Sequence, residues 1–378
     1  MSALFLVGLA ALAAAALAAV FWWQRRAARS AVATAPAGDA AQAPGMAPAE
    51  PAPAQPPAAP LPGALASFQW RTQDQLDADK REALLGAIHK LPNPPQTLQQ
   101  LLEPDLMARA SATELHALIA GEPWIAVKVL ASVNSPLYGL QTPVRDLAQA
   151  VNFLGLQSVR QICLQHLLAT SFPARLPRVQ RTLDALWRAC TIASELAARL
   201  DKALHRSAQG PLSTQVVLSF VGQLATASVI PQPGLAGWLE RDRLGRARLE
   251  QELLGLNASE IGHLLMQRWA LPAPLLAEVR EAGRVLVASP PPAQAGGGGG
   301  DGLPRQTLTY LCARLGERLA LGQLASLEGY RPADDDSVDM HHLRASLSPL
   351  ALARLGELLQ TPALRHTVQQ LTGRMAAA

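Results

Sequence analysis

The chain has 378 residues, 49% hydrophobic and 16% charged, with 27 glycines and 30 prolines. This suits one large or two small helical domains with unstructured connections and leaves enough apolar material for a sizeable core. The net charge of +4 does not by itself imply nucleic-acid binding, because Arg25, Arg26 and Arg29 sit together beside an apolar segment. Cys163, Cys190 and Cys312 form no CxxC pair and no secreted-domain spacing, which excludes a disulfide framework and points to buried free thiols in a reducing compartment.

From Ala3 to Trp23 there is no charged or amide side chain. At about 1.5 Å per residue, such a helix matches a hydrocarbon core of roughly 30 Å, so residues 3–23 read as a transmembrane helix. A cleaved signal peptide is the competing reading, but a positive region before the apolar run is missing and the positive charge follows it. With Trp22 and Trp23 at the membrane interface and Arg25, Arg26 and Arg29 just beyond, the positive-inside rule places the bulk of the chain in the cytoplasm. Residues 24–66 are this basic flank and then a linker of Ala, Pro, Gln and Gly, too poor in bulky apolar groups to order itself.

Residues 74–283 carry helical signals throughout. Asp74 to His89 repeats Leu76, Leu84, Leu85 and Ile88 at helical spacing, and Leu91-Pro92-Asn93-Pro94-Pro95 stops it. Ser111 and Glu114 have the form of a capping box, and Glu122-Pro123 opens the next helix, with Ile125, Val129 and Val133 facing a core. Asp146 to Gly155, Leu156 to Ser171 and Val179 to Lys202 follow as helices. Thr214 to Ile230 is nearly all apolar and so central. Asn257 and Glu260 form a second capping-box pattern before a helix to Trp269, and Pro274 begins one more to about Ala282. No alternating run demands a sheet, so the expectation is all-α. Residues 284–303 read as a flexible loop around five glycines from Gly296; no Gly-Lys-Ser/Thr follows, so it is not a phosphate cradle. Residues 304–378 return to helical spacing and are expected to pack on the preceding body.

LPNPPQTLQQLL, followed by GEPWIAVKVLASVNSPLYGLQTPVRDLAQAVNFLGLQSVRQICLQ, resembles the opening of an HDOD domain, a bacterial relative of the HD phosphohydrolases. The resemblance rests on Leu91-Pro92, Glu122-Pro123, Asn134-Ser135 with Tyr138-Gly139, and Ala150 through Leu154-Gly155. It continues through Leu186-Trp187, Val216 to Val221, Ile261-Gly262 and Trp269-Ala270-Leu271-Pro272, covering about Leu84 to Ala282. It implies a multi-helix bundle linked to bacterial signalling. In relatives with HD chemistry a His follows the Trp of the long helix, a His-Asp pair ends the central apolar helix, and another His precedes a Glu-x-Gly turn. The corresponding positions here are Ala189, Gln223-Leu224 and Ala258, and no His-Asp dipeptide occurs. Alanine and leucine cannot ligate, so neither metal nor other cofactor is expected.

The resulting expectation is a single-pass protein of the bacterial inner membrane, a non-catalytic signalling adaptor with protein partners and no nucleic acid. A metal-dependent phosphodiesterase acting on a nucleotide or cyclic dinucleotide is the alternative, and a non-catalytic nucleotide sensor is a third. Asn134, Ser135, Tyr138 and Arg160 are the candidate partner or ligand surface, although for the first three a role in capping and bracing the bundle is the favoured reading. The arginines at 241, 243, 246 and 248 are interleaved with Glu240, Asp242 and Glu250 and read as a solvated face. Asp334-Asp335-Asp336, Asp339 and His341-His342 read as a solvated acidic loop, since their spacing matches no metal motif.

Overall fold

Side chains that satisfy the free N–H groups of a first turn set several of the helix starts. In the computed structural model, which describes residues 60–103, 111–120, 122–134, 140, 142–174, 176–204, 211–290 and 303–375, Asp77 accepts from Lys80 N at 2.8 Å and opens α1, Ala78–His89. The helix expected from Asp74 thus begins later, after a 3₁₀ turn at Gln73–Gln75. The proline run leads into α2, Gln96–Leu101. Ser111 closes its capping box in both directions, with Glu114 N donating to its hydroxyl at 3.2 Å and Ser111 N donating to the Glu114 carboxylate at 2.7 Å; α3 follows at Ala112–Ala120. Pro123 begins α4, Pro123–Val133, and Asp146 caps α5, Leu147–Leu154. Next come α6, Leu156–Ala169, and the 27-residue α7, Pro177–Ala203.

The apolar stretch expected as one central helix is two, α8 at Leu212–Ser219 and α9 at Val221–Val229, separated at Phe220. Among the described residues Leu212–Val229 is the one stretch long and apolar enough to cross a membrane, yet 78% of it is buried inside the bundle. It is core. Asp242 caps α10, Arg243–Leu254, and Gly255 ends it at φ 86°, a left-handed conformation that glycine adopts without strain. Asn257 caps α11, Ala258–Arg268, but only half of the expected box forms: Glu260 N donates to Asn257, while the Glu260 carboxylate accepts from Trp70 Nε1 at 2.8 Å and from Arg280. The remaining long helices are α12, Ala273–Arg284, α13, Arg305–Ala320, α14, Pro349–Leu359, and α15, Pro362–Met375. Among the described residues there is no strand.

Residues 58–378 form one contact unit, whose core runs through all these helices. α7 packs along α13, α8 lies against both, and α9 crosses α11. Rather than resting on the outside, α13 is buried on every side, with Leu308, Tyr310, Leu311, Cys312 and Leu315 within 2% of full burial and Arg314 and Glu317 buried beside them. Glycines allow two backbone crossings: a Cβ on Gly316 would stand 2.5 Å from the carbonyl oxygen of Ala189, and one on Gly222 would stand 2.0 Å from that of Ala258.

Two expected boundaries move. Leu65 is buried and Ala64 O accepts from Arg248, so the body takes in the last residues assigned to the linker. Val285 and Leu286 are buried as well, so the loop expected from 284 starts later. The expected membrane helix 3–23, the expected interface residues Trp22, Trp23, Arg25, Arg26 and Arg29, the expected linker to residue 59 and the glycine run at 296–300 lie outside the described residues.

Candidate functional site

Three helices carry the positions at which the resemblance places metal ligands in HD enzymes. Ala189 lies on α7, Gln223 and Leu224 on α9, and Ala258 begins α11. The Gly316 crossing brings α13 against Ala189, and the next residue, Glu317, reaches Gln223, whose Nε2 donates to it at 2.7 Å. Arg243 and Arg246 of α10 both pair with the Glu317 carboxylate, Arg243 Nε at 3.3 Å from one oxygen. Three helices therefore put two guanidiniums, an amide and a carboxylate in contact.

The surroundings fix these groups. Arg243 lies 4.7 Å over the Tyr310 ring and Arg246 5.7 Å over Trp238. Burial alone would raise the Glu317 pKa, but the adjacent guanidiniums of Arg243 and Arg246 and their hydrogen bonds outweigh it and hold the carboxyl at about 2. Glu250, one turn beyond Arg246, is also buried, and there burial wins and pushes its pKa up. Its carboxyl still accepts from Ala258 N at 2.6 Å and Trp238 Nε1 at 2.9 Å. On the far side Tyr310 Oη donates to Asp339 O at 2.8 Å, and Arg314 binds the Asp339 carboxylate through Nε at 2.7 Å. Arg314 Nη1 and Arg318 Nη1 both donate to Asp335, at 2.8 and 3.0 Å. Burial works against ionisation of Asp335, but Ser337 and Arg314 hold it well below the usual carboxylate range.

Two cavities flank the ion cluster, and Arg243 and Arg246 line both. One reaches Gly222, Gln223, Glu250 and Ala258 and leaves about 90 Å³ in which a water-sized sphere can be centred. The other opens between α10 and α13 and leaves about 180 Å³.

A divalent metal does not suit this centre. Both oxygens of Glu317 face guanidinium groups, the carbonyl oxygen of Gln223 is the remaining uncommitted donor there, and two fixed cations stand where a third charge of the same sign would have to sit. Among the described residues no three His, Cys, Asp or Glu side chains are grouped to hold an ion.

Several sequence expectations change here. The arginine run is a solvated face only at Arg241 and Arg248; Arg243, Arg246 and Glu250 recur at helical spacing on the face that α10 turns inward. Asp334 and Asp336 are exposed as expected, but Asp335 and Asp339 turn in to Arg314. Arg160 belongs to no surface: it is 2% exposed on the apolar face of α6, its Nε donates to Leu101 O at 3.1 Å, and burial lowers its pKa to about 10. Asn134 is a brace, donating to Val144 O at 2.8 Å and accepting from Val144 N at 2.7 Å. Ser135 and Tyr138 lie outside the described residues.

The HDOD domain profile matches residues 91–284, slightly more than half of the chain. The chain belongs to the HDOD family. Its fold is similar to that of an HDOD domain protein of unknown function from Geobacter sulfurreducens, at 19% identity and a TM-score of 0.51, covering 78% of this chain and 99% of that one. It is also similar to a candidate signal transduction protein from Marinobacter aquaeolei VT8, at 20% identity and a TM-score of 0.53, covering 82% of this chain and 68% of that one. No curated protein matches it. Both likenesses establish the fold. Glu317, Tyr310 and Arg314 lie beyond the HDOD segment, so the C-terminal extension supplies the centre's carboxylate.

Proposed function

We propose that this HDOD protein is a membrane-anchored, non-catalytic signalling adaptor that acts through protein partners. One observation carries the reading: Gln223, one of the positions at which the resemblance would place a metal ligand, is tied into the buried cluster of Glu317, Arg243 and Arg246. Hydrolysis of a phosphodiester by such an enzyme needs a bound cation to acidify water and polarise the phosphate, and a carboxylate already saturated by two guanidiniums offers neither. Partner contact has material at hand, since α4 exposes Trp124 and Val127 and its neighbour α5 exposes Phe153, at 38%, 66% and 56%. The signalling assignment is supported by the candidate signal transduction protein that shares the fold.

Full-length protein purified in detergent and dialysed against manganese is expected to retain no stoichiometric metal and to release no product from a cyclic dinucleotide. One equivalent of manganese with product formation would establish the phosphodiesterase reading instead. The anchor has its own test. If residues 3–23 span the inner membrane, the chain stays in the pellet after an alkaline carbonate wash of bacterial membranes; extraction into the supernatant rules the span out.

A further inference from the structure

We propose that the cavity between the first turn of α10 and the C-terminal half of α13 binds a small oxyanion, a phosphate or the phosphoryl group of a phosphomonoester. The inference is separate from the adaptor reading, which survives if no phosphate binds.

Five arginines line this cavity, Arg241, Arg243, Arg246, Arg314 and Arg318, against the carboxylates of Asp242, Glu317 and Asp339. Each carboxylate is already engaged. Glu317 takes Arg243 and Arg246, Asp339 takes Arg314, and Asp242 accepts from Gly245 N at 2.6 Å as the cap of α10. Asp335, just behind, is held by Arg314 and Arg318. Donors remain after these pairs are made. Arg246 is 5% exposed, and its Nη1 is buried with no hydrogen-bond partner among the described residues. An unmet charged N–H of this kind is costly, and an oxyanion seated between α10 and α13 would give it an acceptor. Arg241 stands exposed at the rim, and the positive end of α10 faces the same space.

The chemistry selects the ligand class. Guanidinium forks pair with oxyanions through two parallel N–H donors, and five of them favour a doubly charged phosphoryl group with three acceptor oxygens over a singly charged carboxylate and exclude a cation. A space of about 180 Å³ for water-sized spheres admits a phosphoryl group while leaving its substituent at the mouth, and it is too small to enclose a cyclic dinucleotide.

The test is calorimetric titration of the full-length protein in detergent, at constant ionic strength, with inorganic phosphate, a nucleoside 5′-monophosphate, acetate and chloride in separate arms. Saturable heat is expected for phosphate and the monophosphate but not for acetate or chloride. Tighter binding of the monophosphate would assign the site to phosphomonoesters, and equal binding would assign it to phosphate itself. Because Arg246→Gln and Arg318→Gln each disturb an ion cluster, the deciding variant is Arg241→Gln at the mouth. It is expected to weaken phosphate about tenfold with the unliganded melting temperature unchanged. Absent saturation, acetate binding equal to phosphate, or an undiminished affinity in Arg241→Gln would each overturn the proposal.

Discussion

Replacing Glu317 by alanine is expected to lower the unfolding free energy by about 3–5 kcal/mol, because it leaves two buried guanidiniums without their shared counter-charge. The figure reflects the partners left behind, not the worth of the cluster as a whole. Replacing all three groups, with Glu317→Leu, Arg243→Met and Arg246→Leu together, should therefore recover much of the loss. The same carboxyl gives stability a pH dependence. Its folded pKa of about 2 lies below the ordinary 4.5, so its contribution is present above pH 4.5 and is lost as pH falls from there toward 2. At 1.36 kcal/mol per unit this amounts to about 3 kcal/mol. Glu250 works in the opposite sense: its raised pKa means that it destabilises the fold when ionised and is relieved on protonation. Denaturant unfolding of wild type and E317A between pH 3 and 7 separates the two, since Glu250 is common to both. A loss below about 1 kcal/mol at pH 7, or an unchanged gap between the curves on acidification, would show that Glu317 is not the charge that holds the arginines.

The reason that so much of the fold was legible and the centre was not lies in sequence distance. Ser111, Asp146 and Asn257 each act within three residues of themselves, so their helix starts can be read locally. Pro123 is equally local. Glu317, by contrast, meets Arg243 and Arg246 across 74 and 71 residues, and its helix lies beyond the HDOD segment altogether. Seen in its own window, Arg243 stands among alternating charges and reads as solvated; only the packing of α10 against α13 reveals which arginines turn inward. Arg160 misled for a related reason. Its charge suggests a surface, yet it follows Val159 on the buried stripe of α6 and satisfies its guanidinium on Leu101 O, 59 residues away. The positions Ala189, Gln223, Leu224 and Ala258 are assigned by resemblance alone, while the carboxylate that Gln223 meets comes from beyond the HDOD segment.

The second large effect concerns how closely the helices approach at that centre. A Cβ added at Gly222 would stand 2.0 Å from the carbonyl oxygen of Ala258, and one at Gly262 would stand 2.7 Å from Gly222 Cα. Both obstacles are backbone, so no side-chain rotation relieves them, and α9 and α11 would have to move apart. Gly222→Ala is accordingly expected to destabilise the protein by at least about 1–3 kcal/mol, the usual range for overpacking a tight core. Gly86 is the internal control. It sits in α1 with nothing within 4 Å of its virtual Cβ, and replacing it by alanine should stabilise by about 0.5–1 kcal/mol through helix propensity and a less disordered unfolded chain. Opposite signs for the same chemical change, measured in one denaturation series, identify contact rather than backbone entropy as the cause. Separation of α9 and α11 would also displace Gln223 from Glu317 and Ala258 N from Glu250, so G222A should flatten the acid dependence that Glu317 provides. A Gly222→Ala protein as stable as wild type, with the acid dependence intact, would mean that the crossing has slack and that the centre is not held shut by it.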